Sequence, residues 1–254
     1  MKFSNQLSHV IKFWAKKLYG SADYLISPTN YTRNLISEKY TENKEIRVIS
    51  NGVDLELFSK NPDLAEKFRK EFNLDAHDKV IMTAGLPFER KGILDLAKIA
   101  EELPEYKFFW FGASSIKNIL PAKIRKIIEN PPKNLVFPGF VDQEILLGAY
   151  SSADLFFFPT YEENEGIVIL EALAMDLPIL IRDIPVYEDW LTDKVNCFKG
   201  KNNQEFKEKI IEMTENKNTD ISSNARTVIE ERQIKEVGKK YKDYYEHILK
   251  KSRV

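Results

Sequence analysis

Phe156-Phe157-Phe158-Pro159-Thr160-Tyr161-Glu162-Glu163-Asn164-Glu165-Gly166-Ile167-Val168-Ile169-Leu170-Glu171-Ala172-Leu173-Ala174 reads as a strand, a polar loop and an apolar helix in succession. Consecutive aromatic residues without polar alternation demand burial on both sheet faces, as in a central strand of a parallel sheet. From Gly166 to Met175 the pattern is apolar on every side, which reads as a short helix buried all round.

Glu171 is the lone charge in that helical run. A carboxylate among apolar neighbours is costly unless donors satisfy it, so Glu171 is expected to face a cavity, where sugar or ribose hydroxyls would serve. Gly166 lets the backbone approach a ligand just where the first helical N–H groups, beginning at Ile167, lack partners, a natural seat for phosphate. Glu162 and Glu165 read as acids favouring the positive end of the helix, with Asn164 as its cap. That account leaves Glu171 unexplained.

The same alternation extends outward from this stretch. Apolar runs at Val80–Ala84, Lys107–Phe111, Leu135–Phe137, Asp154–Pro159, Pro178–Ile181 and Val195–Phe198 are separated by helical patterns at Ile93–Leu103, Ala122–Ile128 and Glu144–Ala153. A further helix spans Glu205–Met213, and a short one lies near Tyr187–Leu191. Strands at helix-length spacing predict an α/β fold with a doubly wound parallel sheet, Rossmann-like, whose ligands bind beyond the carboxyl ends of the strands. Gly85-Leu86-Pro87-Phe88-Glu89-Arg90-Lys91-Gly92 forms a second loop of that type. Two cations before a helix oppose its dipole, so Arg90 and Lys91 are candidate diphosphate ligands; the alternative is a pair of solvated surface charges.

Residues before 79 read as a partial α/β segment: helical Gln6–Tyr19, a strand near Tyr24–Ser27, helical Tyr31–Tyr40, a strand at Arg47–Ile49, and the Asn51-Gly52 turn. Two further helical stretches follow Lys217, the last over Ile234–Leu249. The expected organisation is the end of another α/β domain with a link over 1–54, a Rossmann-like domain over 55–232, and a C-terminal helix over 233–254 packing back on the N-terminal part.

The chain has 254 residues and a net charge of −1, from 38 basic and 39 acidic side chains, so no global field argues for nucleic acid. One cysteine, Cys197, excludes an intramolecular disulfide and fits a reducing compartment. The three histidines, His9, His77 and His247, make no metal-ligand spacing. No run approaches the ~18 apolar residues that would span a bilayer.

Two segments raise a membrane surface as a partner. Phe3, Leu7, Val10, Ile11, Trp14 and Leu18 share one helical face, with Lys2, Lys12, Lys16 and Lys17 beside them and no acid before Asp23. The alternative is a stripe packed on the sheet of its own domain. A second basic segment, Lys117 to Lys126, mixes Lys117, Lys123, Arg125 and Lys126 with Ile116, Ile119, Leu120, Ile124 and Ile127.

Glu163 and Glu171, seven residues apart and followed by Ala-Leu-Ala, resemble the E-x7-E signature of retaining GT-B glycosyltransferases of glycosyltransferase family 4. Ser50-Asn51-Gly52-Val53-Asp54, Arg90-Lys91-Gly92 and Pro138-Gly139-Phe140-Val141 accompany it in order. The stretches Pro159–Val168 and Ile181–Tyr187 look most like the bacterial diacylglycerol glucosyltransferases. Leu86 stands where many relatives carry arginine, and Asp183-Ile184 where many carry paired glycines.

The resemblance implies transfer of glucose from UDP-glucose to diacylglycerol, or to glucosyl-diacylglycerol, with retention at the anomeric carbon and no cofactor. It implies Glu163 on the hexose, Glu171 on the ribose, Lys91 and Arg90 on the leaving diphosphate, Gly166, Ile167 and Gly85 lining the donor site, and backbone near Phe140 and Val141 at the uracil. It implies a cytoplasmic enzyme, peripheral on the inner face of the cell membrane, that makes a glycolipid serving as lipoteichoic acid anchor. Such enzymes carry an N-terminal acceptor domain of roughly a hundred or more residues, most of which is expected to lie outside these 254 residues. Three readings stay open: a lipid-directed glycosyltransferase or an inactive fragment of one, a glycosyltransferase with a soluble or polysaccharide acceptor, and a non-catalytic nucleotide-sugar-binding module.

Overall fold

The computed structural model describes residues 2–41, 44–113, 120–215 and 219–251. It opens with α1 (Lys2–Ser21), β1 (Leu25–Ser27), α2 (Asn30–Tyr40) and β2 (Ile46–Val48), the two strands pairing in parallel as a small sheet. The main body follows as α3 (Pro62–Glu71), β3 (Lys79–Ala84), α4 (Ile93–Glu102), β4 (Tyr106–Phe111), α5 (Ala122–Glu129), β5 (Leu135–Gly139) and α6 (Gln143–Ser152). It continues through β6 (Leu155–Phe158), α7 (Ile167–Ala174), β7 (Ile179–Arg182), β8 (Phe198–Gly200), α8 (Asn203–Glu215), α9 (Thr219–Glu230) and α10 (Ile234–Lys251).

The large sheet has six strands in the order β5-β4-β3-β6-β7-β8, all parallel, as the sequence predicts. Helices cover both faces, and successive strand residues divide between two cores. Val80, Met82, Phe109, Phe156 and Phe158 belong to one core cluster; Ile81, Phe108, Trp110, Leu155 and Phe157 belong to the other. The aromatic runs are therefore structural, and their lack of alternation reflects two packed faces.

Some elements depart from the sequence reading. The strand read at Val195–Phe198 starts at Phe198, and the helix read near Tyr187–Leu191 is a 3-10 turn over Pro185–Tyr187. Helix α3 was not anticipated, although Asn61 and Pro62 form a start signal: the Asn61 side chain accepts from the N–H groups of Asp63 (3.0 Å) and Leu64 (3.1 Å). Its Phe68 is fully buried against Phe72, Phe109 and Phe111.

The chain returns across itself near its end. Val53 donates to the Arg232 carbonyl (3.0 Å) and accepts from the Ile234 N–H (2.9 Å), and α10 packs Val237 and Tyr244 on Ile49 of the N-terminal part. Of the other tyrosines of α10, Tyr241 joins this cluster at its edge, while Tyr245 is exposed.

On α1 the apolar face stays uncovered, because Val10, Ile11, Trp14 and Leu18 are each more than half exposed, at 52%, 58%, 60% and 69%. The alternative of a stripe packed on the sheet of its own domain is thereby overturned for these four. The side chains of Lys2, Phe3 and Leu7, together with Ile116, Lys117 and Ile119, lie outside what the structure describes. In the second basic segment Leu120 and Ile124 turn inward to the core, so the segment presents no apolar stripe through them. Among the described residues, no helix is long and apolar enough to cross a membrane.

Replacing Phe68 by alanine is expected to cost about 3–5 kcal/mol of unfolding free energy, because α3 has no other fully buried side chain to hold it on β4. Urea unfolding followed by circular dichroism measures it.

Candidate functional site

Strand order reverses between β3 and β6, which lie side by side at the centre of the sheet. In an open parallel sheet, the crevice beyond the carboxyl ends at such a reversal is where ligands bind. The loop after β3 is 85–92 and the loop after β6 is 159–166, the two segments the sequence singles out.

A glycine makes their contact possible. Gly92 has φ +78°, and a Cβ built there would collide with the Pro159 carbonyl. Hydrogen bonds then lace the loops together: the Arg90 carbonyl accepts from the Tyr161 N–H (2.7 Å) and the Thr160 hydroxyl (3.1 Å), and the Arg90 guanidinium donates to the Glu162 carbonyl (3.1 Å). Arg182, buried on β7, adds a brace by donating to the Pro159 carbonyl (3.1 Å) and pairing with Asp95 (3.0 Å). Its guanidinium lies 3.8 Å from the Tyr161 ring centre. A charge closing the apolar strand Ile179–Arg182 was the sequence signal for this brace.

Lys91 and Glu163, one from each loop, form a direct ion pair, and both side chains are largely buried. The Lys91 ammonium also lies 5.1 Å from the centre of the Phe158 ring. Burial, with the Arg90 guanidinium adding to it, pulls the Lys91 ammonium down to about 8. The ammonium is thus still largely charged at neutral pH, where it faces the Glu163 carboxylate directly.

Gly166, at φ +91°, is the N-cap of α7, and no side chain caps the helix there. The helix therefore begins at Ile167, which is half-exposed rather than buried all round. This corrects the reading of Glu165 as a first-turn helix acid and of Asn164 as the cap. Glu165 is 1% exposed and accepts from both the backbone N–H and the side-chain amide of Asn51, each at 2.8 Å. Arg232 stands 3.9 Å from its other oxygen. The Asn164 carbonyl accepts from the hydroxyls of Thr29 (2.9 Å) and Thr32 (3.1 Å), at the start of α2.

Glu171 has the donor that its burial requires, since the fully buried Tyr150 of α6 donates to it at 2.9 Å. Burial raises the Glu171 carboxyl above its ordinary value, and the Tyr150 hydroxyl opposes that rise. No local signal around Tyr150 announced this role, because the pair joins two helices.

A cavity of about 570 Å³ opens over the ion pair. Arg90 and Lys91 with Tyr161 to Asn164 line it on one side, while Tyr31, Leu35 and Lys39 of α2 and the turn after β7 supply the rest. Gly85 closes β3, with its N–H on the Phe111 carbonyl and its own carbonyl on the Trp110 indole. Phe140 and Val141 follow β5, the edge strand, two strands away from β3. Gly85, Gly166, Ile167, Glu171, Phe140 and Val141 lie outside the lining of this cavity. Among the described residues no group of three or more acidic, histidine or cysteine side chains forms a metal-binding cluster.

The family model described as "Glycosyl transferases group 1" matches residues 65–231, and that described as "Glycosyltransferase Family 4" matches residues 2–57. The chain is 41% identical over 235 residues to the processive diacylglycerol alpha-glucosyltransferase of Acholeplasma laidlawii, covering 92% of this chain and 70% of that protein. It is 30% identical over 247 residues to the alpha-galactosylglucosyldiacylglycerol synthase of Streptococcus pneumoniae, covering 94% of this chain and 65% of that one. The crystal structure of Anabaena Alr3699/HepE in complex with UDP and glucose shares the fold, with a TM-score of 0.78 at 19% identity over 89% of this chain and 63% of that one. The chain thus spans between 63% and 70% of the length of these three proteins.

Glu165→Ala should lower stability by roughly 3 kcal/mol, since it strips two N–H groups of Asn51 of their acceptor and leaves the half-buried Arg232 guanidinium without its counter-ion. Glu165→Gln should recover part of that loss; thermal unfolding of the two variants beside the parent reads the difference.

Proposed function

The chain belongs to the glycosyl transferases group 1 family, and we propose that it transfers glucose from UDP-glucose to diacylglycerol with retention at the anomeric carbon. The observation that carries this reading is the Lys91–Glu163 pair, with Arg90 beside it, in the crevice between the central strands. It sets a cation suited to a diphosphate against a carboxylate suited to sugar hydroxyls.

In this reading, Lys91 and Arg90 meet the leaving diphosphate and Glu163 the hexose hydroxyls. Gly166 and the N–H of Ile167 receive phosphate, at a helix end that no side chain caps. Glu171, oriented by Tyr150, takes the ribose hydroxyls. The backbone at Phe140 and Val141 serves the uracil, and Gly85 leaves room beside the donor. The bond between the anomeric carbon and the diphosphate oxygen breaks as the acceptor hydroxyl attacks from the same face. The departing oxygen takes the hydroxyl proton, so no side-chain base is required. The protein contributes positioning and electrostatic stabilisation of the leaving group.

The lipid acceptor is supported by the names of the two relatives and by the uncovered apolar face of α1, which Lys17 flanks. Each basic residue at an anionic bilayer contributes about 1 kcal/mol. That suits an enzyme held peripherally on the inner face of the cell membrane.

Glu171→Ala is expected to abolish UDP binding in calorimetry; unchanged affinity would remove Glu171 from the donor site. UDP affinity should also fall as pH rises through about 8, because Lys91 loses its charge there. The limiting slope is about tenfold per pH unit, and Lys91→Arg should flatten it, since guanidinium stays charged. Labelled UDP-glucose with the 254-residue chain and dioleoylglycerol in mixed micelles tests transfer. Transfer to a soluble oligosaccharide alone would replace the lipid acceptor.

A further inference from the structure

Tyr161 reaches the cavity over the ion pair from the loop after β6, two residues before Glu163. Its ring is held from several directions. The Arg182 guanidinium lies 3.8 Å from the ring centre and so covers one face. That guanidinium is itself fixed, because it donates to the carbonyls of Pro159 (3.1 Å) and Lys201 (2.9 Å), pairs with Asp95 (3.0 Å) and lies 4.9 Å from the centre of the Phe206 ring. The Tyr161 N–H is bound to the Arg90 carbonyl (2.7 Å). Burial, and after it the Asp95 carboxylate, holds the Tyr161 hydroxyl above its ordinary value, so the phenol stays neutral. Tyr161 is nonetheless 50% exposed. With one face against Arg182, what it exposes is the opposite face and the ring edge.

We propose that Tyr161 is a contact residue for the transferred hexose, its open face packing on the C–H face of the sugar while Glu163 takes the hydroxyls. This assignment rests on the donor reading above. A hexopyranose carries hydroxyls around its rim and C–H bonds on its faces, so a site that holds it needs polar groups and a flat apolar surface together. The loop side of the cavity supplies the polar groups through Arg90, Lys91, Glu162, Glu163 and Asn164, and Tyr161 is the aromatic residue on that side. A diphosphate is held by cations and N–H groups, and an aromatic face does not serve it. The uracil is read near Phe140 and Val141, outside the lining of this cavity. The hexose is therefore the part of the donor left to stack. Because Arg182 already fixes the ring, stacking costs Tyr161 little rotamer freedom.

Calorimetry on the full chain with UDP and with UDP-glucose separates the hexose from the rest of the donor. In Tyr161→Ala, affinity for UDP-glucose should fall about tenfold while affinity for UDP equals that of the parent, and Tyr161→Phe should hold both. An equal loss for both ligands makes Tyr161 a part of the loop structure only and overturns the contact, as does an unchanged affinity for UDP-glucose. A second measurement requires no loss of affinity. In protein whose phenylalanine and tryptophan rings are deuterated, saturation of the tyrosine ring protons should pass to the hexose C–H protons of bound UDP-glucose, and Tyr161→Phe should remove that transfer. Transfer that persists in Tyr161→Phe, or is absent in the parent, overturns the contact. Failure of both UDP and UDP-glucose to bind the parent instead overturns the donor reading, and the Tyr161 contact with it.

Discussion

A single buried carboxylate, Glu165, holds together the parts that make the site. Its oxygens take two N–H groups from Asn51 and face Arg232, so the N-terminal segment, the loop after β6 and the returning C-terminal segment converge on one residue. Burying that charge is expensive, and two donors together with a facing guanidinium offset the cost. Because Glu165 lies between Glu163 and the first residue of α7, its anchoring fixes both the ion pair and the helix end. Without it the loop would keep its chemistry and lose its geometry.

The second constraint is the contact of Gly92 with Pro159. Lys91 and Glu163 are far apart in sequence, and they meet because two loops at a reversal of strand order touch through a residue with no side chain. Arg182 and the Arg90 backbone then brace the joint with charge-assisted and neutral hydrogen bonds. Burial on this scale makes Lys91 a softer cation than a surface lysine, sensitive to its counter-ions in a way Arg90 is not.

The sheet was legible because two-sided burial leaves unbroken apolar runs such as Phe156–Phe158, and loops between such runs and helices fall at strand ends wherever they occur. What stayed hidden was long-range. Glu165 was read from its neighbours as a helix-end acid because nothing local reveals Asn51 or Arg232, and its meaning is set by those distant partners. The demand of Glu171 for a donor was readable, but the identity of that donor, Tyr150, was not. Tyr31 and Leu35 look like ordinary apolar positions of an amphipathic helix, and it is the Thr29 and Thr32 contacts with Asn164 that turn them toward the cavity. Helix α3 escaped for a different reason: with Phe68 as its one fully buried side chain, it carries too thin a stripe to stand out.

The crossing at Val53 has a kinetic meaning. The contact of β3 with β6 already joins distant parts of the chain, and the crossing at Val53 closes a longer loop still. Asn51, Glu165 and Arg232 meet only after the segment beyond α9 has come back across the molecule to Val53. The junction of Asn51, Glu165 and Arg232 therefore carries the entropy cost of closing a loop that encloses the whole large sheet.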